Sequence, residues 1–486
     1  MGKIRKTKSG FLSTMLLGLA ILTGAGQPAI AAEEESRPLL QSGELFDFIR
    51  KPTPEFSWKI TEQSQQDDLT VTHLTMVSQR WSPESMPSEP ALWQHRMVIY
   101  QPKAWRPDTP AILHVNGGTR HRNSQKASER FDDVRLVSLA QETGSLLIEL
   151  KDIPNQYLTI NGERIRKEDD LIARSWAGYS KNPSCTECPL QMPMVRAVVK
   201  AMDTVQQVLK NQAPQSFIIT GASKRGWATW LTAAIDQRVT AIIPMVIDVL
   251  DVQKNLAHSK EVYGRWILPM QPYLAEGQDV MNRLHTPEVK ALMAQVDPWS
   301  YRAFLTLPKY VITASGDDFF LPDSSQFYWD GLSGPKWLRT YPNSGHYISR
   351  ENTERVTDTV AGFVGWINSG RAFPELAEKP LADDRVQITL SQKPESVRLW
   401  QAVNPVARDF RMTTLRPLDS IYEATELPVR YPDEGEEQYS VTVTIAPPER
   451  GFKTWFVESV FGNSPHPDFV LTTPLKVISA RNADSR

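Results

Sequence analysis

The chain has 486 residues but only two cysteines, Cys185 and Cys188, so a disulfide-stapled small-domain architecture is excluded. It has no HExxH, Walker, GxGxxG or EF-hand pattern, which removes the common metal- and nucleotide-binding readings. It has no basic block: 54 Lys and Arg stand against 56 Asp and Glu, for a formal net charge of -2. That balance gives no footing for nucleic-acid binding. Low-complexity tracts and internal repeats are missing. After the first thirty residues no apolar run is long enough to span a bilayer.

What is present begins with the leader. Lys3, Arg5, Lys6 and Lys8 precede an apolar run over residues 11–26, then Ala29-Ile30-Ala31 and the acidic run Glu33-Glu34-Glu35. This order is that of a secretory signal peptide over residues 1–31, cleaved after Ala31, and the expected location is periplasmic or secreted. The apolar run is shorter than the roughly 20 residues of a membrane span. No cysteine follows it, which argues against a lipoprotein. Removing the four positive charges takes the net charge to about -6, and the remaining chain is long enough for two or three domains. In an oxidising compartment the run NPSCTECPL reads as a short Cys185–Cys188 disulfide. A redox pair lacks its βαβ context, and two thiolates do not complete a zinc shell.

From residue 111 the chain alternates short continuous apolar runs with helical patterns. Strands are predicted at 111–115 (AILHV), 145–150, 216–220, 239–247 (interrupted by Pro244), 309–314 and 337–341, and helices at 134–143, 194–209, 227–235 and 354–367. The pattern implies an α/β fold with a mostly parallel sheet covered on both faces. Residues 33 to about 90 read as a polar approach segment containing one strand, 69–77. Residues 249–305 fall between two core strands and carry helical patterns such as 288–295, so they read as an inserted cap. From about 384 the runs become short, alternating and β-branched, as in an all-β sandwich. The expected organisation is residues 32–383 for the α/β domain and 384–486 for the β domain.

Three segments carry candidate chemistry. In Thr220-Gly221-Ala222-Ser223-Lys224-Arg225-Gly226-Trp227 a serine follows a buried strand and opens a helix, the setting of a nucleophile elbow. The second glycine stands one place later than in GxSxG, with Arg225 in its usual position. After strand 309–314 come Asp317 and Asp318, and after the last strand comes His346. The order Ser, Asp, His is that of an α/β-hydrolase. A serine needs a histidine to take its proton, and the histidine needs a carboxylate to fix its tautomer. Of the two carboxylates Asp318 is preferred, because Pro322 follows it at the spacing common in hydrolases of this fold. Asp317 then becomes a loop or capping residue, Asp248 and Asp251 are an alternative location for the acid, and Asp323 is a turn residue. His114-Val115-Asn116-Gly117-Gly118 has the form of an oxyanion loop, with the Gly117 or Gly118 N–H pairing with that of Lys224. His114 and His121 read as structural, His258 and His285 as solvated.

Taken together, HVNGG, TGASKRGW, DDFFLPDSSQFYWD, YPNSGHY and KTWFVES make the chain resemble the PhoPQ-activated pathogenicity-related protein family. The resemblance implies the α/β-hydrolase fold, export and a triad of Ser223, Asp318 and His346, with no cofactor or metal and no named reaction. The elbow is also similar to that of glucuronoyl esterases, with Lys224 as the basic residue after the serine. Two functions follow as expectations. One is an exported serine hydrolase acting on an ester, amide or peptide substrate. The other is a non-catalytic relative that binds a peptide or protein partner. The sequence does not decide the oligomeric state.

Overall fold

The structure is a computed structural model that describes residues 37–118, 133–275, 277–348, 353–412, 421–435 and 437–481. The proposed signal peptide and His121 lie outside these residues. Nine strands form the central sheet: β1 (Ser57–Gln66), β2 (Leu69–Arg80), β3 (Leu92–Pro102), β4 (Ala111–Val115), β5 (Leu147–Leu150), β6 (Phe217–Ala222), β7 (Val239–Met245), β8 (Lys309–Ala314) and β9 (Lys336–Tyr341). Their order is β1-β2-β3-β5-β4-β6-β7-β8-β9. The first three strands are antiparallel and β3 meets β5 antiparallel; from β5 onward every pair is parallel. Neighbouring residues of the parallel strands go to opposite cores. Leu113, Ile148, Ile219 and Ile242 join one cluster with Val195 and Leu231, whereas Ile112, Leu147, Ile218 and Ile243 join the other with Leu136 and Val360. Both faces are therefore buried under helices, which is why these strands read as unbroken apolar runs. This is the α/β-hydrolase fold.

Register fixes where chemistry can occur. Val115 pairs with Gly221, Ala222 with Met245, and Ala314 with Tyr341. The loops after β4, β6, β7, β8 and β9 therefore leave the sheet along one edge, its carboxyl end. Pro244 does not interrupt β7. The Ile242 N–H bonds Pro308 O and the Val246 N–H bonds Ile312 O, so proline removes only the rung between them.

The approach segment is part of the sheet. β1 and β2 form its first hairpin, turning at Asp67 with φ 53°. The strand escapes a periodicity search because SWKITEQSQQ is an edge strand largely open to solvent, with no apolar face to alternate. Between β7 and β8, helices Val252–Tyr263 and Pro287–Val296 occupy the stretch read as a cap. Thr286 caps the second helix by accepting the Val289 N–H, with Pro287 at its first position. Cys185 and Cys188 are joined as a disulfide with Cα atoms 5.4 Å apart. The pair precedes helix Gln191–Leu209.

The C-terminal region is antiparallel throughout. Strands β10 (Leu376–Pro380), β11 (Arg385–Leu390) and β14 (Tyr439–Thr444) form one sheet; β12 (Ser396–Asn404), β13 (Glu423–Glu426), β15 (Phe452–Phe461), β16 (Phe469–Thr472) and β17 (Lys476–Ser479) form the other. The expected start at residue 384 moves back to Leu376, because β10 pairs along its whole length with β11. Its sequence, LAEKP, offers no alternation to detect. This region packs firmly on the α/β part. Tyr310, Trp337, Phe363, Trp366, Phe373 and Phe469 stack at the seam, and the buried Arg339 and Glu458 form an ion pair across it.

Candidate active site

The elbow starts from β6. Ser223 has φ 55° and ψ -130°, a conformation that costs an L-residue about 1–3 kcal/mol and persists only where its surroundings impose it. The imposition is visible in two glycines. A Cβ on Gly226 would lie 2.7 Å from both Gly221 O and Ile247 Cγ2, and one on Gly221 would lie 2.9 Å from Arg225 C and O. The Ser223 N–H is tied to Met245 O at 2.8 Å. The close strand–helix approach therefore falls on residue 226, which explains why glycine is required there and not at 225.

Arg225 has a different task. Its Nε donates to Ile153 O at 2.6 Å and its Nη2 to Glu168 Oε1 at 2.7 Å. The guanidinium runs against the loop after β4, where a Cβ on Gly117 would meet Nη2 at 2.7 Å. Gly117 is thus glycine because the arginine fills its side-chain space. Gly118, at φ 144°, leaves room for the carboxylate of Asp152, which Arg96 holds by two hydrogen bonds of 2.6 and 2.8 Å. The Gly117 N–H donates to Asn116 Oδ1 at 2.7 Å, so this expected oxyanion donor is already engaged. Gly118 lines the cleft that contains Ser223, and Lys224 is the first residue of helix Lys224–Ile235, whose first-turn N–H groups have no partner within the helix.

The histidine and the acid complete a chain. His346 Nε2 lies 3.0 Å from Ser223 Oγ, and its Nδ1 lies 3.1 and 3.0 Å from the two carboxylate oxygens of Asp317. Asp317 Oδ1 also accepts the N–H groups of Phe319 at 2.7 Å and Phe320 at 3.2 Å. The Phe319 ring packs on His346 with centroids 4.1 Å apart. Asp317 and His346 are 3% and 6% exposed, so this is a buried, pre-formed arrangement.

The preference for Asp318 is therefore corrected to Asp317. The reason is the turn after β8: the Gly316 N–H bonds Ser344 O at 2.9 Å and the Asp317 N–H reaches back to Ala314 O at 3.3 Å. That tight turn faces residue 317 toward the histidine loop and leaves Asp318 half-buried beside it. Burial first, and then the charge of Asp317, push the Asp318 pKa upward. The alternatives also lie elsewhere. Asp248 accepts a hydrogen bond from the Tyr328 hydroxyl, and burial raises its pKa to about 7. Asp251 pairs with Lys254 at 2.6 Å.

Two residues read as bystanders are joined. Asp323 is buried and pairs with Arg408 of the C-terminal region and with His258 Nε2 of the cap at 3.2 Å. His258 is accordingly not solvated, while His285 is exposed. His114 borders the cleft, and burial lowers its pKa.

Sequence reasoning missed Glu168. It stands at φ 50° at the head of helix Glu168–Lys181 and binds both Arg225 and Lys224, the latter at 2.9 Å; Asp169 holds Lys224 as well, at 3.2 Å. Burial opposes its ionisation, yet the two cations outweigh burial and hold its pKa at about 2. Its only sequence signal is the charge run ERIRKEDD, which looks like any solvated face.

Ser223 sits between two spaces. An outer cleft of about 520 Å³ is bordered by Gly118, Arg225, His346 and Tyr347. An inner pocket of about 50 Å³ lies under the cap against Trp176, Trp227, Met270, Tyr273 and Phe320. Among the described residues no group of His, Cys, Asp or Glu is placed to hold a metal ion, and no helix is long and apolar enough to cross a membrane.

The chain is 31% identical over 437 residues to autocrine proliferation repressor protein A of Dictyostelium discoideum, covering 86% of this chain and 85% of that one. It is 24% identical over 158 residues to the acetyl esterase Axe7A of Xylanibacter ruminicola, 32% of each chain. Among solved structures, acetyl xylan esterase 1 from Thermoanaerobacterium superposes with a TM-score of 0.42 at 14% identity, covering 64% of this chain and 89% of that one. The model of the PhoPQ-activated pathogenicity-related proteins matches residues 45–411, and the chain belongs to that family.

Proposed function

We propose that the protein is a serine hydrolase that cleaves esters, with Ser223 as nucleophile, His346 as general base and acid, and Asp317 as the group that orients the histidine. The observation that carries this reading is the unbroken chain from Ser223 Oγ through His346 to Asp317 on a strained elbow. As Oγ attacks the ester carbonyl, Nε2 takes its proton, and Asp317 stabilises the imidazolium that results. The oxyanion is met by the Lys224 N–H together with the loop at Gly118. The alcohol leaves with the proton from Nε2, and water then releases the acid by the same steps in reverse.

The test is a fluorophosphonate probe, which reacts only with an activated serine. Stoichiometric labelling at Ser223 is expected in the folded protein, abolished in Ser223→Ala and His346→Ala. The alternative is a non-catalytic binding protein on the same scaffold. It is supported by the relative matched over most of its length, which is named a proliferation repressor rather than an enzyme. A folded protein that stays unlabelled, before and after mild proteolysis within residues 249–305, assigns the chain to that alternative.

We also propose that the chain is exported, on the basic start, apolar run and small-residue site of its first 31 residues. N-terminal sequencing of the recovered protein should begin within a few residues of Ala32, and an intact Met1 would refute this.

A further inference from the structure

We propose that the substrate is an ester of a short, uncharged acyl group, with two to four carbons, whose acyl chain enters the inner pocket while the alcohol occupies the outer cleft. This rests on the ester-hydrolase reading above and adds the substrate class.

The assignment of the two spaces comes from proton transfer. The leaving oxygen must receive its proton from His346 Nε2, so the alcohol lies on the side that His346 borders, the outer cleft. The acyl carbon becomes bonded to Ser223 Oγ, and its substituent turns to the other space that Ser223 borders. That space is the inner pocket, which His346 does not line.

The pocket's size and walls then select the acyl group. The centres of water-sized spheres range over about 50 Å³ here, and at roughly 10–15 Å³ per water that space holds only a few waters, room for a short alkyl stub but not for a long chain. Its aromatic walls are fixed by their contacts. Trp176 meets Trp227 edge-on with centroids 5.6 Å apart and lies 5.2 Å from Tyr273. The polar tips of all three are engaged: Trp176 Nε1 with Gln191 Oε1 at 3.0 Å, Trp227 Nε1 with Val296 O at 2.6 Å, and the Tyr273 hydroxyl with Asp169 Oδ1 at 3.2 Å. The faces left for a ligand are therefore mainly apolar.

Charge is excluded by the same neighbourhood. Among the described residues Lys224, at the pocket's border, is the one cation lining it, and Glu168 and Asp169 both hold its ammonium. An acyl group ending in a carboxylate would meet a cation already shared by two carboxylates. Lys224 is therefore not placed to meet an acidic group on the acyl side.

The experiment uses the full chain and three p-nitrophenyl esters with one leaving group: acetate, butyrate and octanoate. The kcat/KM is expected to fall at least 100-fold from acetate to octanoate. Met270→Ala, which removes a flexible wall from the cap side, should raise octanoate relative to acetate at least tenfold. Trp176→Ala should do the same more strongly if it folds; the methionine variant keeps the test decisive if it does not. Equal turnover of acetate and octanoate overturns the proposal, as does a chain-length profile unmoved by Met270→Ala. Fluorophosphonate labelling is run in parallel. Labelling without turnover of any of the esters refutes the acyl assignment and leaves the serine-hydrolase reading standing, whereas absence of labelling refutes both.

Discussion

Ser223 is held by contacts made inside the central sheet and its helices, whereas Asp317 and His346 lean on residues of the C-terminal region. On the serine side the supports are Gly221, Gly226, Met245 and Arg225. On the other side the Met412 N–H bonds Gly316 O at 2.8 Å, and the methionine lies where a Cβ on Gly316 would fall, 2.6 Å from Met412 Cγ and 2.9 Å from its backbone nitrogen. A Cβ on Gly345 would stand 2.8 Å from Met412 O. Asn343, in the histidine loop, exchanges two hydrogen bonds with the Tyr422 backbone at 2.9 and 2.7 Å, and the Tyr422 hydroxyl reaches Ser315 O at 3.3 Å. The loops bearing Asp317 and His346 are thus clamped between the sheet edge and two residues, Met412 and Tyr422. The lesson is that one site is built to two standards: the turn at Ser223 depends on local backbone packing, the Asp317–His346 pair on a contact between regions.

The largest effect should come from breaking the relay itself. Asp317→Asn is expected to slow fluorophosphonate labelling and ester turnover by on the order of 10⁴, with circular dichroism unchanged, while Asp318→Asn stays within about tenfold of the parent. The opposite ranking would return the acid to Asp318.

A pair of glycine substitutions sharpens the contrast. Gly226→Ala forces its Cβ onto main-chain and Ile247 atoms and should cost about 3 kcal/mol in denaturant unfolding, with labelling lost. Gly316→Ala should destabilise less and slow labelling about 10- to 100-fold. The double variant Gly316→Ala/Met412→Gly should recover part of that rate, because the obstructing side chain is gone. A Gly316→Ala enzyme at full rate would show that the clamp does not position the relay.

The smallest effect should come from Asn343→Ala. It removes both hydrogen bonds to Tyr422, about 1–3 kcal/mol of stability, and should lower the labelling rate only a few-fold at 25 °C. Equal losses at Asn343 and at Asp317 would mean that the two kinds of support are not distinct.

The same division explains what could be read from sequence. The parallel strands and the elbow were legible because continuous apolar runs and a Gly-x-Ser turn are local signals, and helix Lys224–Ile235 begins where the motif says it should. That Ser223 and His346 meet was legible from chain order. The acid was misplaced by one residue, since the choice between Asp317 and Asp318 is made by a turn tied to Ser344, far away in sequence. β1 was lost because an edge strand with polar faces has no period. Arg225 looked like a defect in the motif because its partners, Gly117, Ile153 and Glu168, are brought to it only by the fold.

The clamp around Met412 and Tyr422 has a consequence for the order in which the molecule is made. Synthesis from the amino end delivers Ser223 and the strands that shape its turn well before the chain reaches residue 412. A product ending at residue 383 would contain Ser223, Asp317 and His346 and still lack the segment that clamps the last two. On the mechanism proposed above, the turn at Ser223 draws only on the central sheet and its helices, whereas the loops of Asp317 and His346 gain their Met412 and Tyr422 contacts only when the C-terminal region arrives.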